Sequence, residues 1–159
     1  MALTLHLGVL DQPYAHEGPE PPQRGRRRRR VATGTQTTGD VATWLENRYH
    51  VMRHFYELHE GDVAAAMENS LAGAVETALM GGPSGPGAHA FDTAMGEVKQ
   101  TFSTFLTLKE MDALGYPGVP TLASLLGISH RFKDRRGTPG RPSFIDTGLY
   151  ETSFRSWVD

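Results

Sequence analysis

The chain has 159 residues, a formal net charge of −2, 38% hydrophobic residues, 18 Gly, 10 Pro and no cysteine. That length fits one domain, and the composition predicts a modest core with long irregular segments. Without cysteine there can be no disulfide, thiolate zinc site or cysteine nucleophile, and no run of 18 or more apolar residues reads as a membrane span.

The small net charge hides a strong asymmetry. Arg24 and Arg26 through Arg30 place six cations in seven residues. Residues 54–98 then carry seven acids and no Lys or Arg, and residues 131–141 return to basic with Arg131, Lys133, Arg135, Arg136 and Arg141 against Asp134. A folded chain with this pattern can present opposed charged faces, which favours oriented contact with charged partners.

In chain order, the opening MALTLHLGVL has no basic residue before its apolar stretch and no small-residue cleavage site after it. Residues 3–10 therefore read as a strand, not a signal peptide, and synthesis in the cytoplasm is the simplest expectation. Residues 11–39, with four prolines and the arginine run, read as a long loop or extended arm. A first helix is predicted near Asp40, where Thr37 and Asp40 have capping-box spacing or Asp40 itself caps the first turn, with Val41, Leu45, Tyr49, Met52, Phe55 and Tyr56 recurring at three- to four-residue steps and Gly61 closing it. A second helix is predicted from Asp62, with Val63, Met67, Leu71, Val75 and Leu79 in line, ending at Gly81 and Gly82. Two helices joined across one glycine predict an antiparallel helical hairpin.

After the loop GGPSGPGA, a third helix places Phe91, Met95, Val98, Phe102 and Phe105 on one side. Thr107 and Glu110 form a second capping-box pair, predicting a short helix closed by Gly115. Pro120 and Thr121 are placed to start a last short helix ending at Gly127. Residues 131–142 are basic and rich in Gly and Pro. The ending from Phe144 to Val158 fits strand, turn and strand, with a helix from Thr147 as the competing prediction.

The chemical inventory is thin. His50 and His54 are four apart and could share a helix face, with His59 nearby, but HVMRHFYELHE lacks the HExxH pattern. Such histidines read more simply as surface or interface residues. GGPSGPG lacks the Lys-Ser/Thr ending and the preceding strand of a phosphate loop. Asp146-Thr147-Gly148 matches the DTG triplet of aspartic proteases, yet those enzymes need two such aspartates and a large β-framework that residues 149–159 cannot supply. The RGRRRRR run could bind nucleic-acid phosphates or an acidic protein surface. No aromatic residue interleaves with it to stack on bases. The helical aromatics read as core, and Phe154 and Trp157 as either core or interface anchors.

The ending RPSFIDTGLYETSFRSWVD resembles the DTGxLxxSxR ending of small neck and tail-completion proteins of long-tailed bacteriophages, through Asp146, Thr147, Gly148, Leu149 or Tyr150, Ser153 and Arg155. The segment YHVMRHFYELHEGDVAAAMENSLAGAVE also has the look of such proteins, whereas the arginine-bearing arm departs from their compact pattern. The resemblance implies an α+β fold, no chemistry, and a homomeric ring, hexamer favoured, at the virion's head–tail junction. There it would join neighbouring neck, connector or tail-tube proteins, with DNA passing through the lumen.

The expected architecture is thus α+β: a helical hairpin plus a third helix packed with a small antiparallel sheet, and a long extended N-terminal arm. Residues 1–39 form the strand and arm, 40–130 the helical core, and 131–159 the basic loop and β ending. The residues expected to meet partners are Arg24, Arg26, Arg27, Arg28, Arg29, Arg30, Arg135, Arg136, Arg141, Asp146, Thr147, Gly148, Tyr150, Phe154 and Trp157. No catalytic residue, cofactor, metal or membrane partner is expected. The rival readings are a nucleic-acid-binding protein using Arg24–Arg30, and behind it an enzyme assisted by a metal at His50 and His54.

Overall fold

A computed structural model describes residues 4–14, 36–82, 90–127, 140–145 and 148–159. Among these, six helices and a two-stranded antiparallel sheet make a mixed α+β arrangement. The body of the arm, most of the glycine-rich loop and most of the basic segment lie outside the described residues.

Strand β1 (Leu5–Val9) pairs with β2 (Phe154–Val158), so the first and last described segments share one sheet. His6 stands opposite Trp157 and Val9 opposite Phe154. Backbone bonds between Thr4 and Asp159 (3.0 and 3.2 Å) continue the ladder past one end, and Leu10 N–H donates to Ser153 O (2.8 Å) at the other. Alternation then turns Leu5, Leu7 and Val9 inward, where they pack on the core.

Helix α1 (Thr38–Tyr49) starts where the sequence predicts, on the reciprocal capping box of Thr37 and Asp40. It ends at His50, whose φ of +50° is left-handed. That position starts α2 (Val51–Leu79) without a side-chain cap from His50 itself. Glu46 serves instead: its carboxylate accepts the Met52 N–H at 2.8 Å, satisfying an orphan donor and placing negative charge at the helix start.

The chain therefore turns at His50, and Gly61 does not end a helix. α2 runs through Gly61 with a local bend at His59 (φ −116°, ψ 19°). The long packed helix outweighs the roughly 1 kcal/mol that an interior glycine costs relative to alanine. What packs antiparallel on α2 is α3 (Asp92–Thr107). Ser70 bonds Ala90 O (2.7 Å), while His59 and Phe55 meet Phe105 and Phe102.

Two short helices follow, α4 (Glu110–Ala113) and α5 (Leu122–Leu125). Thr107 belongs to α3 and does not cap α4; Lys109, at φ +62°, makes that corner. Thr121 caps α5 by accepting the Ser124 N–H, and Gly115 and Gly127, predicted to close the short helices, adopt positive φ. The ending is a helix and then a strand: α6 (Leu149–Ser153) opens at Gly148 (φ +75°) and runs directly into β2.

The core lies where α2, α3 and the sheet converge. Phe55, Phe102, Phe105 and Phe154 are fully buried together. The Phe102 and Phe154 rings stack at 4.0 Å, and Phe55 meets Phe102 edge-on at 5.1 Å. Each such burial is worth about 1.5–3 kcal/mol, with aromatic pairing adding to it. A second centre is polar. Thr38 is fully buried; its hydroxyl donates to Leu10 O (2.5 Å) and accepts from Gln12 N–H (2.8 Å), joining α1 to the chain leaving β1.

Candidate docking surfaces

The residues that match the phage-type ending build a corner of the fold. Gly148 supplies the left-handed start of α6. Tyr150 is buried, and burial, reinforced by Glu46 and Tyr14, holds its phenol above the ordinary 10.0. Ser153 is buried, donates its hydroxyl to Tyr150 O (2.9 Å) and presents its carbonyl to Leu10. Arg155 turns back to donate to Thr152 O (3.0 Å) and Phe154 O (2.6 Å). Tyr150 and Phe154, expected to face a partner, instead face inward, because helix-to-strand geometry turns both onto the aromatic core.

Trp157 does stand outward. It is 48% exposed on the outer sheet face and stacks over His6 at 5.3 Å with an 11° interplanar angle. A Cβ on Gly8 would come within 3.1 Å of the Trp157 ring, so glycine lets the indole lie flat across β1. His6 also meets the Asp159 carboxylate at 2.8 Å. Arg141 is half-buried and donates to Ile145 O (2.6 Å), a local bracing role. Arg24, Arg26 through Arg30, Arg135, Arg136, Asp146 and Thr147 lie outside the described residues.

The roots of the arginine-bearing segment are described. Tyr14 N–H donates to Gln36 O (3.0 Å) and Thr38 N–H to Gln12 O (2.9 Å), around a bridge between Pro13 and Thr37. Asp11 reinforces this base: its carboxylate accepts the Gly39 N–H (2.9 Å), and hydrogen bonding from Thr37 and then Gly39 holds its carboxyl below the usual value. The described residues on either side of that segment are thus hydrogen-bonded neighbours.

The histidines have different hydrogen-bond partners, although the His50 and His54 rings meet edge-on at 6.5 Å. His54 Nδ1 lies 3.1 Å from Glu57 and its Nε2 2.6 Å from the Tyr116 hydroxyl. His59 sits between Asp62 (3.1 Å) and Glu110 (3.0 Å), wedged against Phe55 and Phe105. His50 is taken up by the left-handed corner. Among the described residues no group of three or more His, Asp or Glu is arranged to hold a metal ion, and no helix is long and apolar enough to cross a membrane.

What the sequence reading missed is the uncovered apolar surface. α3 begins beside Ser70, so the last turns of α2 project past it. There Leu71, Val75, Leu79 and Met80 are 42%, 51%, 82% and 84% exposed. Leu108, Leu114, Leu122, Leu125 and Leu126 form further exposed positions around α4 and α5, and Trp44 is 55% exposed on α1. Periodicity marks Val63, Met67, Leu71, Val75 and Leu79 as one apolar row but does not say whether it is covered; a count of partner residues able to cover it would have found the excess. Comparison with protein-family models, curated proteins and solved structures gives no match.

Proposed function

We propose that this chain is a structural virion subunit of a phage head–tail junction, a neck or tail-completion protein that assembles as a homomeric ring and catalyses nothing. The observation that supports it most is the projecting end of α2. Its apolar stripe has no cover among the described residues, and such patches mark surfaces made for protein contact. The phage assignment itself rests on the resemblance of residues 146–155. In this fold Gly148, Tyr150, Ser153 and Arg155 form a structural corner. The extended arm and a helical hairpin docked on a small sheet belong to the same proposal.

The test is a particle assembled without this protein. Filled heads lacking attached or completed tails are expected; normally tailed, infectious particles would contradict the reading.

A second reading is nucleic-acid binding by Arg24 and Arg26–Arg30. It is favoured by the concentration of six cations within residues 24–30, between the paired segments Gln12–Tyr14 and Gln36–Thr38. Phosphate binding predicts affinity that falls steeply with salt and is lost when Arg26–Arg30 become Ala. Binding unchanged in that variant removes it.

A further inference from the structure

Three histidines meet carboxylates: His6 with Asp159, His54 with Glu57, and His59 with both Asp62 and Glu110. Among the described histidines only His59 has a carboxylate at each ring nitrogen, Asp62 3.1 Å from Nδ1 and Glu110 3.0 Å from Nε2. His54 differs, because the Tyr116 hydroxyl at its Nε2 can donate or accept and so suits either charge state of the ring. A neutral imidazole carries one N–H and one lone pair, and an ionised carboxylate only accepts. Both contacts of His59 are therefore hydrogen bonds only when the cluster holds one proton more than a neutral ring with two carboxylates. Without it, a ring lone pair faces a carboxylate oxygen across one of the two contacts.

The cluster sits where the fold bends. His59 is the non-helical residue inside α2, and Gly61, two residues on, lowers the helical preference of the same stretch. Asp62 comes from α2 itself, and Glu110 opens α4, a four-residue helix too short to hold itself. α4 is anchored by Met111, buried in the core, and by Glu110 on His59. From α3 the His59 ring meets Phe105, edge-on at 5.8 Å, and from α2 it meets Phe55 at 5.5 Å. The charged residues of α3, Asp92, Glu97 and Lys99, lie six or more residues before Phe105. Lys109, next to Glu110, turns its amine to Gly140 O, and Asp112, the other acid of α4, makes no bond to the ring. Glu60, beside His59 on α2, is exposed.

We propose that His59, Asp62 and Glu110 form a proton-dependent clasp that fixes α4 on the bend of α2. The clasp is closed when the cluster holds its extra proton and loosens when that proton leaves. The proton belongs to the group and not to one atom, since ring and carboxylates titrate together. A proton bound by the folded chain and released on unfolding stabilises the fold on the acid side. The contribution is therefore present at mildly acidic pH and is lost as pH rises through the ordinary imidazole range, about 6.5; it weakens again near pH ~4, where carboxylates protonate. The clasp is independent of ring assembly. It governs how firmly the uncovered end of α2, which lies beyond the bend, is held to the core.

The test is a double-mutant cycle on the full-length chain, His59→Gln and Glu110→Gln singly and together, in denaturant unfolding at about pH 5.5 and about pH 8. The coupling between the two residues is expected to be worth about threefold or more in the folding equilibrium constant at the lower pH and to vanish at the higher. A coupling equal at both values, or absent at both, overturns the clasp. Nitrogen NMR of the His59 ring keeps the test decisive where His59→Gln does not fold. Near pH ~6.5, Glu110→Gln is expected to lower the ratio of charged to neutral ring about threefold, and an unchanged ratio overturns the clasp. Hydrogen exchange tests the lock on α4. Corrected for intrinsic rate, the amides of Glu110–Ala113 are expected to open more at the higher pH in the wild type, and equally at both in Glu110→Gln. Equal protection at both values in the wild type overturns the coupling to α4.

Discussion

Val51, Phe55, Val63 and Ala66 in the first part of α2 are buried, whereas Leu71, Val75 and Leu79 continue the same apolar spacing and stand exposed. The two regions share a helix and differ in what lies opposite. α3 has 16 residues and α2 has 29, so the partner runs out near Ser70, and steps of four residues also turn the row about 40° each off the side that α3 covers. Periodicity identifies which face of a helix is apolar; only the length and placement of the partner decide whether that face is core or contact surface.

Mutations can break or sharpen this contrast. The largest effect is expected at the covered end: Phe102→Ala, which opens a cavity against Phe55, Phe105 and Phe154, should cost about 3–5 kcal/mol in denaturant unfolding. Thr38→Val should cost about 1–3 kcal/mol, because it strips Leu10 O and Gln12 N–H of their partner. Thr37→Ala, which removes half of the capping box, should cost about 1 kcal/mol. At the uncovered end, Leu79→Gln should change stability by no more than about 0.5 kcal/mol, and a loss comparable to Phe102→Ala would show that the stripe is packed after all.

The Tyr150 phenol adds a pH test. Its value is raised in the fold above the ordinary 10.0, so folding favours the neutral form. That contribution is complete below the unfolded value and is lost as pH rises above it. Alkaline unfolding followed above pH 10 should therefore be steeper in the wild type than in Tyr150→Phe.

Local rules made part of this fold legible. The Thr37–Asp40 box, the Thr121 cap and the positive-φ positions Gly115 and Gly127 depend on neighbours a few residues apart, and all four are where the sequence puts them. The aromatic face of α3 was likewise readable from spacing. The pairing of β1 with β2 was not, because its register joins Leu5 to Val158 and no local pattern encodes that. Nor was the turn at His50, since a non-glycine left-handed residue follows no local sequence rule and Gly61 offered the stronger stop signal. For the contact residues, aromatic character alone could not separate Phe154, buried in the core, from Trp157, open on the outer sheet face. The two differ in strand parity, which becomes usable only once the register is known.

The most direct test of the central claim is the mass of the full-length wild-type protein in solution, measured by light scattering at low and high salt with electron microscopy of any oligomer. A single closed ring that loosens as salt rises is the expected result. A salt-insensitive monomer at every concentration would contradict the ring reading.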